Sequence, residues 1–200
     1  MKTKLLLATC LTIAAAFAAT AQNHQTFKGV PIDGKTSAFV NQLKQKGFQA
    51  VGKTDTLIGT FAGYNDCKVT VLSSAQTDNV YGARVQIPMC APLLIYTEYK
   101  KLQIALTEKY GEPVKPQNER PTKEEEDFVT ALGQLIVDVK ESFEESFVFP
   151  YSCVYNTDRG SVTLNGSFFP ATKCGGGYII ITYIDKANNT VHQQSIYDDL

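Results

Sequence analysis

The sequence predicts an α+β domain of two layers, with helices packed on one face of a largely antiparallel sheet. Two kinds of pattern carry that expectation. Several runs alternate apolar and polar residues with a period of two, as strands with one wet face do. Other runs step by four and three residues, as amphipathic helices do. Their order along the chain is one helix, three or four strands, two helices, then three or four strands again, α-β(3-4)-α-α-β(3-4).

The first 21 residues have the form of an export signal. Lys2 and Lys4 give a positive start, Leu5 to Ala19 form an apolar run, and Ala19-Thr20-Ala21 supplies the small-x-small pattern that places cleavage after Ala21. The run is short for a membrane span and polar residues follow it, so no transmembrane segment is expected in the mature chain. Apolar sequence continues past Cys10, which argues against lipidation there. The expected location is periplasmic or secreted. Cleavage leaves about 179 residues, the size of one domain. That domain covers residues 22–200, and its segments 27–90 and 93–200 admit a reading as diverged copies of one helix-plus-strands unit.

Charge narrows the partners. Loss of Lys2 and Lys4 takes the formal net charge from −1 to −3. A chain without a basic field has no general attraction for nucleic acid or anionic lipid.

The elements follow in order. Pro31-Ile32-Asp33-Gly34 signals a turn, and Thr36 or Ser37 is placed to cap a helix. Phe39, Val40 and Leu43 share one face of that helix, and Gly47 stands where a left-handed terminal residue is wanted. Phe48 to Val51, Leu57 to Phe61, Cys67 to Leu72 and Val80 to Ile87 read as strands. In the third run Cys67, Val69 and Val71 alternate with Lys68 and Thr70; in the fourth Ala83, Val85 and Ile87 alternate with Arg84 and Gln86. Ile95, Tyr99, Leu102, Leu106 and Tyr110 form a helical stripe ended by Gly111 and Pro113. Thr122-Lys123-Glu124-Glu125 matches a capping box, opening a helix with Phe128, Leu132, Leu135, Val139 and Phe143 on one face. Phe147 to Tyr155, Ser161 to Phe168, Tyr178 to Ile184 and Thr190 to Ile196 are the closing strands. Tyr178 to Ile184 is apolar almost throughout, as for a central strand covered on both sides.

Several of these stretches resemble a group of uncharacterised exported proteins from Bacteroidetes. The likeness lies in Phe27-Lys28-Gly29-Val30-Pro31-Ile32-Asp33-Gly34, Phe39-Val40, Lys46-Gly47-Phe48 and Gly59-Thr60-Phe61-Ala62-Gly63-Tyr64 with Cys67. Leu106 to Pro113 and Tyr183 to Asn188 extend it over most of the mature chain. The resemblance implies export and carries no activity. The expected element order is also similar to that of beta-lactamase inhibitor protein, a likeness of topology alone. The resemblance to the exported group implies that Asp55-Thr56-Leu57, which looks like the Asp-Ser/Thr-aliphatic acceptor of periplasmic O-glycosylation in Bacteroidetes, carries Thr56 exposed in a turn.

Chemistry is sparse. Cys67, Cys90, Cys153 and Cys174 survive cleavage, which permits two disulfides in three connectivities, while strand parity also allows Cys67 and Cys153 to be plain buried thiols. Only His24 and His192 are present, with no zinc-binding spacing, Walker loop, dinucleotide fingerprint or nucleophile elbow. No metal or cofactor is therefore expected. The catalytic alternative is a small periplasmic hydrolase, built on an acid pair or on a cysteine nucleophile with His192 as base and Asp185 as orienter. The favoured expectation is a non-enzymatic exported module that binds a protein or envelope component in an inhibitory or accessory role. Its candidate binding face is lined by Tyr64, Tyr81, Tyr151 and Tyr155, because tyrosines on a wet sheet face anchor partners well.

Overall fold

The computed structural model describes residues 23–52, 55–89, 92–114, 148–169 and 176–198. It is an α+β fold built on one large antiparallel sheet. A two-stranded hairpin comes first, β1 (Thr26–Phe27) and β2 (Val30–Pro31), followed by helix α1 (Thr36–Gln45). Strands β3 (Gln49–Ala50), β4 (Thr56–Phe61), β5 (Tyr64–Ser73) and β6 (Val80–Met89) lead to helix α2 (Pro92–Tyr110). Strands β7 (Val148–Thr157), β8 (Gly160–Phe169) and β9 (Gly176–Asp185) then lead to helix α3 (Lys186–Asp198).

This order overturns the α-β-α-α-β expectation at both ends. At the start, Lys28 (φ 53) and Gly29 (φ 77) make a two-residue turn that pairs Phe27 with Val30, so a hairpin precedes the first helix. Its strands are too short to show a period, and the sequence shows only a turn. At the end, Thr190 to Ile196 lies in α3 rather than in a strand. The β-branched residues suggested a strand, but Asp185 Oδ1 accepts the Asn188 backbone N–H at 2.9 Å and caps a helix there. The expected helix through Phe128 and Phe143 falls outside the described residues, as do the export segment, Cys90 and Cys174. The likeness to beta-lactamase inhibitor protein rested on the overturned order and is not carried further.

The main sheet has the order β3-β4-β5-β6-β9-β8-β7. The β6–β9 pair runs from Gly82↔Ile184 to Met89↔Gly177 and joins the strands from the two ends of the chain. At the β7 edge, the Val114 N–H donates to the Val154 carbonyl at 2.7 Å, so the chain itself occupies part of an otherwise open edge.

One core lies on one side of this sheet. Leu57, Val69, Val85, Ile87, Leu164, Ile179 and Ile181 meet Phe39 and Leu43 of α1 and Ile95 and Tyr99 of α2. The first hairpin closes it. Phe27 stacks on Phe61 at 5.6 Å and meets the Tyr183 ring edge-on at 5.4 Å. Such ring pairs add about 0.5–1.5 kcal/mol each beyond their buried area.

Helix α1 shows why local chemistry alone does not fix a short helix. Its N-cap is Lys35, with no side-chain cap, so neither Thr36 nor Ser37 plays the capping role the sequence offered. The Thr36 N–H donates instead to the Asp78 carbonyl of the β5–β6 turn at 3.2 Å. Its C-terminus closes locally: with Gly47 at φ 94, the Gly47 N–H reaches the Lys44 carbonyl and the Phe48 N–H reaches the Leu43 carbonyl.

Candidate functional site

Strand alternation assigns every second residue to the side away from the core. Following the register across the sheet gives three central rows, with a further row through Pro88 and Tyr178 beyond the first. The first runs Ile58, Lys68, Gln86, Ile180, Asn165 and Ser152. The second runs Thr56, Thr70, Arg84, Thr182, Thr163 and Val154. The third runs Leu72, Gly82, Ile184, Ser161 and Asn156. Lys68, Arg84, Ile58 and Asn156 are exposed, Gly82 is buried beneath the Ile184 and Leu72 side chains, and the other residues of these rows are half-buried. Their alternating neighbours Cys67, Val69, Ala83, Val85, Ile179, Ile181 and Val162 are buried. The sheet therefore has one dry face and one open face.

That pattern corrects the reading of β9 as covered on both sides. The strand is central, but Tyr178, Ile180, Thr182 and Ile184 are only half-buried. Isoleucine suits a pleated surface whether or not it is sealed.

The tyrosines do not line this face together. Tyr155 is fully buried on the core side, its hydroxyl donating to the Gln103 carbonyl at 3.1 Å and meeting Thr107 Oγ1 at 3.2 Å. It is no surface anchor. Tyr64 is half-buried and hydrogen-bonds Glu98 on α2. Burial and that carboxylate both push its phenol well above the usual range. Tyr81 is half-buried and stacks on His192 of α3, with ring centroids 4.2 Å apart. Tyr151 lies in β7, and its side chain is outside the described residues. Thr56 begins β4 rather than sitting in a turn, half-buried at the margin of the open face.

Cys67 and Cys153 are free, buried thiols. Cys67 Sγ donates to the Tyr64 carbonyl at 3.3 Å, and burial pushes its thiol up, so it stays protonated at neutral pH. Cys153 Sγ accepts from the Tyr99 hydroxyl at 3.2 Å and from Gln103 Nε2 at 3.1 Å. Neither sulfur has a histidine partner. Among the described residues, no group of three metal-ligating side chains exists. No described helix is long and apolar enough to cross a membrane.

The proposed cysteine, His192 and Asp185 constellation is not assembled. His192 Nδ1 is buried without a hydrogen-bond partner, so no carboxylate orients the ring as a base, and the ring is instead stacked on Tyr81. Asp185 is fully buried and engages the other histidine, with His24 Nδ1 at 3.2 Å from Oδ2. The Gln25 backbone N–H donates to the same oxygen at 2.8 Å. His24 Nε2 lies 3.8 Å from Asp33 Oδ2, and Asn188 Nδ2 donates to Asp33 Oδ1 at 3.0 Å and to the Ile32 carbonyl at 3.0 Å. This cluster fastens the start of the described chain to the β9–α3 junction. The sequence reading missed it. The one local signal was an aspartate immediately before a run that turns out to be helical.

Comparison with known proteins finds no matching family model, no matching curated protein and no matching solved structure.

Proposed function

We propose that this chain is an exported, non-enzymatic binding module that engages a protein partner of the cell envelope through the open face of its sheet. The single observation carrying this reading is the set of exposed and half-buried residues, Gly82 excepted, in three rows across as many as six strands, with a sealed core behind them. A pleated face backed by a packed core is rigid and pre-organised, which lowers the ordering cost of association. The reading is also supported by the apolar leader ending at Ala21 and by the resemblance to exported Bacteroidetes proteins. The two described cysteines face hydrogen-bonding groups other than histidine, which favours binding over turnover.

The test places a photo-crosslinking amino acid at Thr182, in the middle row, and separately at Ile104, which is 61% exposed on α2. A protein adduct formed from position 182 and absent from position 104 supports the reading. Adducts from position 104 alone, or from both positions equally, contradict it.

A further inference from the structure

We infer that the partner presents a carboxylate-rich protein surface, received by Lys68 and Arg84 at the centre of the open face. This inference rests on the binding reading above and names the partner's chemistry. Lys68 stands opposite Gln86, and Arg84 stands opposite Thr70, so the two cations are diagonal neighbours on β5 and β6. That spacing is about 7–8 Å in an antiparallel pair. Both side chains are exposed, and neither makes an ion pair among the described residues.

The three rows hold these two cations and no carboxylate, on a chain whose formal net charge is −1. Along β5 the first acid met is Asp66, exposed near the hairpin end, where φ 55 breaks the strand alternation. Gln86, Thr70 and Thr182 border the pair with amide and hydroxyl donors, and Thr163 and Asn165 lie one strand further on. Guanidinium receives carboxylate through two parallel hydrogen bonds, and the ammonium beside it adds a second point of attraction.

The other residues of the face select among anionic partners. Ile58, Ile180, Ile184, Leu72 and Val154 give branched aliphatic contacts that suit protein side chains. A sugar would have only the half-buried Tyr178, beyond Ile180 on the same side of β9, to stack on. Two cations are too few to follow a polyphosphate backbone. An acidic protein surface fits all three features.

The test titrates the isotopically labelled full chain with three probes while backbone amide signals are followed. The probes are a peptide of alternating glutamate and threonine, the matching glutamine–threonine peptide, and polygalacturonate. The expected result is saturable shifts in β5, β6 and β9 with the glutamate peptide alone, weakened about tenfold in the K68Q/R84Q double variant. Equal binding of the glutamine peptide, binding of polygalacturonate alone, shifts elsewhere, or no binding would overturn the inference. The crosslink at position 182 separates the two levels. An adduct of undiminished yield in K68Q/R84Q sinks the charge inference and leaves the binding face standing, whereas loss of the adduct from the unsubstituted chain sinks both.

Discussion

The Asp185 carboxylate accepts the Gln25 backbone N–H at 2.8 Å, although 160 residues separate the two in sequence. The same carboxylate caps α3 through Asn188. One buried side chain thus holds an early segment, the end of a central strand and the start of a helix. Asp185→Ala removes the cap and strands a buried N–H, so it should lower the unfolding free energy by about 2–4 kcal/mol. Urea denaturation checks this, and an unchanged midpoint would show that the cluster is not a structural fastening.

Two glycines should resist substitution for different reasons. A Cβ on Gly160 would lie 1.9 Å from the Ile184 carbonyl oxygen, on the backbone of the neighbouring strand β9. A Cβ on Gly63 would meet nothing within 4 Å, but φ is +86 there, in the turn between β4 and β5. Gly160→Ala should cost about 3 kcal/mol through forced backbone movement. Gly63→Ala should cost about 1 kcal/mol through strain at a left-handed position. Thermal melts of the two variants should rank them in that order.

Cys153 predicts an unusual preference. Its sulfur accepts from both Tyr99 and Gln103 across the α2–β7 contact. Valine suits a strand but removes the shared acceptor, whereas serine keeps one. Cys153→Val should therefore destabilise by about 1–3 kcal/mol. Cys153→Ser should cost less despite its poorer strand propensity, and paired denaturation curves will show the reverse order if packing alone governs the site.

Stability should fall at both ends of the pH scale. Burial raises the phenols of Tyr64, Tyr183 and Tyr155 above their ordinary value of 10.0. Their contribution is fully present below pH 10.0 and is lost as pH rises, because the unfolded chain releases those protons first. Glu98 has the opposite sign. Lys101 Nζ at 2.6 Å, and then the Tyr64 hydroxyl, hold its carboxyl below its ordinary 4.5. Its contribution is present above pH 4.5 and is lost as pH falls through the lower folded value. Urea midpoints followed from acid to alkaline pH should trace both losses, and Tyr64→Phe should flatten the alkaline one.

The legible parts of the fold were those with a sustained period. In β5 and β6, Val69 and Val85 alternate with Thr70 and Arg84 strongly enough to give both the strands and their two faces. The α2 stripe through Ile95, Tyr99, Leu102 and Leu106 is buried as its spacing demands. What escaped the sequence depended on distant partners. Tyr155 shares parity with Cys153, yet only the contact from Gln103, 52 residues away, decides that its hydroxyl points into the protein. Thr190 and Val191 favour strand locally, and the cap from Asp185 overrides them. The open face itself was legible as alternation. Its cations were read only as the wet side of two strands, because the register that makes Lys68 and Arg84 neighbours is a long-range fact.

The most direct test of the whole account is thiol labelling of Thr163→Cys and Thr182→Cys in the folded protein, read by peptide mass against the unfolded chain. An open face predicts that both positions react before any unfolding, while Cys67 and Cys153 stay protected in their buried sites. Labelling at 163 and 182 only after unfolding would mean that this side of the sheet is sealed too, and would contradict the binding surface on which the proposal stands.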